Sequence, residues 1–326
     1  LLNEQSVTAP LVSATVNQDV AIALTNTSTV PLQTSSLSLD GNSTTALTEE
    51  LVAAASGSLP NSSDTDWLHA DLACDLHFEA DDAKGYEATL RKKFADVTLD
   101  LAIQPAEGRR KLLLVADMDS TIIEQECIDE LAAELGLKDQ ISEITARAMR
   151  GEIEFEPALR ERVDLLKGLP LASLESVYQN RITETAGGRT LTATMKKHGA
   201  TCALVSGGFT FFTERVAASV GFDINRANTL VFEDGKLTGD VASPILGRQA
   251  KIDSLVELRD KAGLPAIATL AVGDGANDLG MIEEAGLGVA LHAKPVVAEA
   301  ADARIDHGDL TALLFLQGYK RADFAI

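Results

Sequence analysis

An apolar run in this chain stops without warning: Leu112-Leu-Leu-Val-Ala116 gives way to Asp117, and Asp119 stands two residues further on. Continuous Leu and Val predict a strand buried on both faces, and the carboxyl end of such a strand in a parallel sheet is where active sites form. Residues i and i+2 of an extended segment point the same way, so both carboxylates would overhang one site. Beyond residue 187, apolar runs alternate with amphipathic stretches. Helices are expected over 187–198, 209–220 and 249–262, and strands over 201–205, 267–272, 287–291 and 303–305. A helix from Pro295 separates the last two strands, and a final helix starts near Asp309. Two short strands flanking Asp234-Gly235 read as a hairpin. Strands alternating with helices predict an α/β fold with a doubly wound parallel sheet. Between Asp117 and residue 187 the pattern is helical throughout, at roughly 125–136, 139–150, 154–167 and 171–179. A helical insert at about 124–186 is therefore expected over the site.

The first third is written differently. Residues 72–78 alternate like a strand, 81–94 look helical and 97–103 alternate again, a strand–helix–strand unit of a small α+β domain. Residues 1–65 are rich in Ser, Thr and Asn with short apolar patches such as Val20-Ala-Ile-Ala-Leu24, a pattern equally compatible with disorder and with a small β-rich lobe. Pro105-Ala-Glu-Gly-Arg-Arg110 reads as a linker. The expected division is an N-terminal lobe over 1–106 and a catalytic domain over 107–326.

Charge narrows the classes of partner. Lys plus Arg number 28 against 49 Asp plus Glu, a net charge of −21, which argues against a nucleic-acid or anionic-membrane partner. No apolar run approaches the ~18 residues of a membrane span. The first basic residue is Lys84, so no basic leader region is visible and a cytoplasmic protein is expected. The sequence opens on Leu rather than Met, so the natural start is expected upstream. Cys74, Cys127 and Cys202 show no Cys-x-x-Cys pairing and are expected to be buried, reduced thiols rather than disulfide or zinc ligands.

On their own, Asp117 and Asp119 could be turn and N-cap residues; partners further along decide. Ser206-Gly-Gly follows Ala203-Leu-Val and opens a helix, offering a hydroxyl and approachable N–H groups to phosphate oxygens, although by itself it reads as a loop. Lys251 would ordinarily be a solvated helix lysine, and only its place between the other polar sites lifts it. Asp274, Asn277 and Asp278 follow the apolar strand that ends at Val272. Asp117 and Asp274, each at the end of an apolar strand, make a hard oxygen pocket suited to Mg2+, which would supply the local positive charge that the chain as a whole lacks.

Taken in order, Asp117-Met-Asp-Ser-Thr121, Ser206-Gly-Gly-Phe209, Lys251 and Gly273-Asp-Gly-Ala-Asn-Asp278 resemble the four motifs of the haloacid-dehalogenase superfamily. More narrowly the chain is similar to its phosphoserine phosphatase family, through Glu124-Gln-Glu-Cys-Ile-Asp-Glu130, through Phe155-Glu-Pro-Ala-Leu-Arg-Glu-Arg-Val163 followed by Leu165-Leu-Lys-Gly-Leu169, and through Asp234-Gly-Lys-Leu-Thr-Gly-Asp240. The resemblance covers residues 111 to about 310. It implies a Rossmann-like core with a helical cap, Mg2+ as cofactor, and hydrolysis of the small molecule O-phosphoserine through an aspartyl phosphate, the last step of serine biosynthesis. By the same resemblance Asp117 is the nucleophile. Asp119 is general acid and then base, its backbone carbonyl binding the metal alongside Asp117 and Asp274. Ser206, Gly207 and Lys251 hold the phosphoryl oxygens, Asn277 completes their contacts, and Lys251 also offsets the crowding of Asp117, Asp274 and the supporting acid Asp278. Glu126 and Arg162 match the positions that read the substrate's ammonium and carboxylate, with Arg160 a near competitor. Met149 and Phe155 match an apolar door. A related phosphatase, or a transferase that passes the phosphoryl group to homoserine, would share these motifs. A catalytically dead serine-sensing protein fits poorly, because every motif acid is present. In some relatives the region before the core is a ferredoxin-like regulatory domain; residues 67–105 resemble half of one, and such a lobe could carry a homodimer contact.

Overall fold

The computed structural model describes residues 18–25, 47–62, 65–80, 82–149 and 152–325, with the backbone alone for 18–25 and for Met149. The open reading of residues 1–65 falls largely outside the described residues. What is described there is ordered into secondary structure: strand β1 (Gln18–Thr25), helix α1 (Glu49–Ser56) and strand β2 (Thr65–His69). These precede β3 (Ala73–Ala80), α2 (Ala83–Lys93) and β4 (Asp100–Pro105). The four strands form one antiparallel sheet in the order β2-β3-β1-β4. The sequence pattern shows only the second half of this βαββαβ unit; β1 completes it by filling the gap between β3 and β4, with Ile22 opposite both Leu76 and Ile103. Its core, including Val52, Leu76, Phe78, Leu90 and Leu101, is separate from the main one.

The larger unit is built on a six-stranded sheet in the order β12-β11-β10-β5-β6-β7, every pair parallel. Its strands are β5 (Leu113–Ala116), β6 (Thr201–Phe209), β7 (Ile224–Asn228), β10 (Thr269–Gly273), β11 (Gly288–Leu291) and β12 (Ala303–Ile305). β8 (Leu230–Glu233) and β9 (Lys236–Val241) make the expected hairpin, with Asp234 and Gly235 both at positive φ. Alternation along β5 explains its unbroken apolar run: Leu113 and Val115 pack with Leu255, Leu258 and Met281 on one face, while Leu114 and Ala116 join the main core on the other. Burying such a side chain contributes ~1.5–3 kcal/mol each, so the strand is held from both sides.

Helices α7 (Gly188–Lys197), α8 (Thr210–Val220), α9 (Arg248–Lys261), α10 (Leu279–Glu284), α11 (Pro295–Ala300) and α12 (Ala312–Leu316) surround the sheet. Between β5 and α7 lie α3 (Cys127–Glu134), α4 (Lys138–Met149), α5 (Phe155–Asp164) and α6 (Leu171–Arg181), the insert seen in the sequence. Its return leg is stitched to the hairpin, where Gly168 N donates to Leu237 O at 2.7 Å and Leu171 N to Gly235 O at 2.9 Å. β7, an edge strand of sequence Ile-Asn-Arg-Ala-Asn, is the one sheet member without an apolar signature in the sequence.

The segment Pro105 to Arg110 is short but not slack. Arg109 makes a buried bidentate pair with Asp75 at 2.5 and 3.0 Å and donates to the Leu316 and Phe315 carbonyls. Asp100, also buried, accepts the N–H groups of Asp306, His307 and Gly308 at 2.6–3.1 Å. Among the described residues no helix is long and apolar enough to cross a membrane.

Candidate active site

Pairing in the sheet assembles the site. Val272 sits opposite Ala116 and Ala116 opposite Leu204, so the ends of β10, β5 and β6 bring Asp274, Asp117 and Ser206 to one rim. Asp117 N donates to Val272 O at 3.0 Å, clamping two of these ends together. The chain then turns sharply, with Asp119 extended and Ser120 at φ 54°.

Lys251, in the first turns of α9, is 1% exposed and ties the rim to the loop after β10: its Nζ lies 2.7 Å from Asp117 Oδ1 and 2.5 Å from Asp278 Oδ1. Asp278 Oδ2 accepts the Gly275 N–H at 3.1 Å. Ser206 Oγ accepts the Gly208 N–H at 2.8 Å and donates to Asp119 Oδ2 at 3.4 Å. Gly208 is fixed by close approach, because a Cβ there would stand 2.7 Å from Asp119 Oδ2. Asn277 is half-buried and lies against Gly275. Asp117, Asp119, Ser206, Gly207, Lys251, Asp274, Asn277 and Asp278 thus come from four separate stretches to one rim.

The rim is short of positive charge. Burial, and then Asp278, hold the Asp117 carboxyl well above the usual range. Burial with Asp278 pushes Asp274 up to about 6, and burial with Glu126 pushes Asp119 up to about 7. Burial alone would pull Lys251 down, but Asp117 and Asp278 outweigh it and hold the ammonium firmly protonated. One lysine against these acids leaves a deficit that a divalent cation would fill. Carboxylate oxygens of Asp117, Asp274 and Asp278 all lie within 4.8 Å of one another, and hard oxygen donors at that spacing fit Mg2+. Both Asp278 oxygens are taken, Oδ1 by Lys251 and Oδ2 by the Gly275 N–H, whereas Asp117 meets Lys251 and the Met118 N–H through Oδ1 alone, so the better-placed donors are Asp117 and Asp274.

The insert covers this rim with the expected side chains. The Phe155 ring stands 3.5 Å from a Cβ built at Gly207 and 3.1 Å from one at Gly247. Met149 ends α4, but its side chain lies outside the described residues. Glu126 precedes α3 and accepts from Ser120 Oγ at 2.8 Å; its charge raises both Asp119 and Asp274. Arg162, on α5, feels Asp129, Glu126 and Asp119 although burial pulls its pKa down. Arg160 instead bonds Glu156 and the Val241 carbonyl. Of the two arginines, Arg162 is the one turned toward the acids of the site.

Two supports escaped the sequence reading. Cys127 N, at the start of α3, donates to Asp119 Oδ1 at 3.1 Å, so a helix N-terminus points at that carboxylate. Asn228, buried at the end of β7, donates to the Gly207 and Leu246 carbonyls and accepts from Leu246 N at 2.7–3.0 Å. It joins the Ser206 loop to the approach to α9. No motif flagged it, because its strand has no apolar pattern.

Comparison with known proteins agrees with this geometry. The family described as haloacid dehalogenase-like hydrolase matches residues 114–283. The "Phosphoserine phosphatase" of Archaeoglobus fulgidus is 45% identical over 234 residues, 71% of this chain and 68% of that one. The crystal structure of a HAD family hydrolase from Salmonella enterica serovar Typhi is similar with a TM-score of 0.78 at 30% identity, covering 91% of this chain and 98% of that one. A structure described as a phospho-aspartyl intermediate analogue of phosphoserine phosphatase gives 0.59 at 41% identity, over 63% of this chain and 98% of that one.

Proposed function

The chain belongs to the haloacid dehalogenase-like hydrolases, and we propose that it hydrolyses O-phosphoserine to serine and phosphate through an aspartyl phosphate. It is a phosphatase. One observation carries the choice of substrate: the insert sets a carboxylate and a guanidinium, Glu126 and Arg162, near enough to the rim that Glu126 raises Asp119 and Arg162 feels both, beside a rim of Asp117, Ser206 and Lys251 suited to a phosphoryl group. Phosphoserine carries an ammonium and a carboxylate to match.

Asp117 attacks phosphorus, the bond to the serine oxygen breaks, and Asp119 gives that oxygen a proton. Asp119 then takes a proton from the water that cleaves the aspartyl phosphate. Its pKa of about 7 suits both halves. Lys251, Ser206 and the backbone of Gly207 hold the phosphoryl oxygens, with Asn277 beside them, and Asp278 keeps Lys251 in place. Asp117, Asp274 and the Asp119 backbone carbonyl would hold Mg2+, which supplies positive charge to the phosphoryl group. Phe155, with Met149 at the end of α4, would exclude water when the insert closes.

A cytoplasmic setting is supported by three buried free cysteines. The division at about 106 is supported by the separate N-terminal core, and the insert at 124–186 by four successive helices, α3 to α6, standing between β5 and α7. A homodimer through that lobe would use its β2 edge, since the β4 edge faces β12.

The test is phosphate release from phosphoserine, phosphothreonine, sugar phosphates and p-nitrophenyl phosphate, each with and without Mg2+ and with homoserine offered as acceptor. Strong Mg2+-dependent preference for phosphoserine, with free phosphate as product, is expected. Phosphohomoserine in place of free phosphate would make the enzyme a transferase.

A further inference from the structure

Each recognition group on the insert is held by a hydroxyl. Ser120 sits at φ 54°, a conformation costly for a residue with a Cβ and cheap for glycine. A serine there brings a hydroxyl, and its Oγ donates to Glu126 Oε1 at 2.8 Å. The turn is closed from behind, where Ser120 N donates to Gln125 O at 3.3 Å and Gln125 Oε1 accepts the Thr183 N–H at 2.7 Å. Glu126 is the residue preceding α3, yet its carboxylate makes no cap bond to that helix, which leaves it aimed by Ser120.

On α4, Thr145 Oγ1 donates its only proton to Ile141 O at 3.0 Å. The oxygen can then only accept toward α5, and Arg162 Nη1 donates to it at 3.2 Å while Arg162 Nε donates to Ala158 O at 3.2 Å. Two of the five guanidinium N–H groups are thereby fixed. Among the described residues nothing takes the other three, which lie on the two Nη atoms, the arrangement that grips a planar carboxylate.

We propose that Ser120 and Thr145 are positioning residues that set substrate selectivity, Ser120 aiming Glu126 at the substrate's ammonium and Thr145 aiming Arg162 at its carboxylate. This rests on the assignment of Glu126 and Arg162 made above. Thr145→Val keeps the side chain's shape and removes the acceptor, Thr145→Ser restores it, and Ser120→Ala removes the donor without changing the backbone requirement. The contrast substrate is p-nitrophenyl phosphate, which has neither ammonium nor carboxylate.

Thr145→Val and Ser120→Ala are each expected to raise KM for phosphoserine, and Ki for free serine, by about tenfold, as for a lost hydrogen bond to a charged group. KM for p-nitrophenyl phosphate and Ki for inorganic phosphate should move far less, and Thr145→Ser should lie near the parent. Equal losses on both substrates, with no recovery in Thr145→Ser, would show that the hydroxyls are structural and overturn the proposal. Glu126→Gln and Arg162→Lys are measured alongside. If they discriminate against phosphoserine while the hydroxyl variants do not, the positioning roles alone fall; if they too fail to discriminate, the reading of the insert falls with them.

Discussion

Asp119 takes the Cys127 N–H on one oxygen and faces Ser206 Oγ with the other, so each oxygen has a partner before substrate arrives. Asp119→Asn keeps nearly the same shape and the backbone carbonyl but removes the proton that a serine alkoxide needs in order to leave. Phosphoserine turnover should fall by at least the ~10²–10⁴-fold typical of lost acid–base catalysis. p-Nitrophenolate leaves unaided, so with p-nitrophenyl phosphate the variant should phosphorylate Asp117 and then stall. Rapid mixing should show a burst of about one nitrophenol per site before a slow steady state. No burst, with both substrates falling equally, would make Asp119 a structural or metal residue. Arg162→Ala should cost about 2–3 kcal/mol in kcat/KM for phosphoserine and much less for p-nitrophenyl phosphate. The rim residues were legible in the sequence only as a set: Asp117 alone could be a turn or N-cap residue and Lys251 a solvated helix lysine, and it is the four motifs in order that lift them together. Cys127 contributes its backbone N–H, which every residue has, and Asn228 works through a fold-dependent approach of two loops; neither leaves a mark in the sequence.

At the scale of elements, the chain could be read wherever periodicity was strong. The insert helices, the hairpin and most of the sheet fall within a few residues of the expected bounds, because each buries a face against a neighbour. β7 was missed because an edge strand covered mainly by α8 needs little apolar sequence. β1 shows only a short apolar patch in a Ser/Thr-rich stretch, and its place between β3 and β4 depends on partners 48 to 85 residues away. The loop that turns from β6 into α8 offers a test at this scale. A Cβ at Gly208 would lie 2.7 Å from Asp119 Oδ2, 3.1 Å from Ser206 Oγ and 3.3 Å from the Met118 side chain. Gly208 is not at positive φ, so Gly208→Ala should fold, and the clash must be relieved by moving Asp119. A displacement near 1 Å at a reacting group can cost ~10²-fold. We expect that loss in kcat with an unchanged circular-dichroism spectrum; near-parental kcat would mean that the loop yields instead.

Across the whole molecule, the N-terminal lobe is fastened by buried charge together with a small apolar contact, in which Leu68 and Ala73 pack with Phe315 and Phe324 while Ala102 joins the main core. Asp75 holds Arg109 across the junction, and Asp100 satisfies three N–H groups of the 306–308 loop. Asp75→Ala in the full chain would strand the Arg109 guanidinium in a dry junction, and breaking a buried pair in this way costs about 3–5 kcal/mol. A chain beginning at Gly108 differs in kind. It removes the cover together with the partner, so Arg109 and the 306–308 loop meet water instead of being left buried and unpaired. All the rim and insert residues lie beyond that start, and the phospho-aspartyl phosphoserine phosphatase structure is matched over nearly its whole length by 63% of this chain. The shortened chain should therefore hydrolyse phosphoserine with nearly parental kcat while melting at a lower temperature. One route could defeat this. His292 Nε2 donates to Gly308 O at 2.8 Å, and two residues on, Lys294 N donates to Asp274 O at 3.3 Å, so the loop that Asp100 holds connects to the backbone of Asp274. If the shortened chain folds by circular dichroism yet releases no phosphate even at high Mg2+, that connection is required, and the lobe is part of the active site rather than an attachment to it.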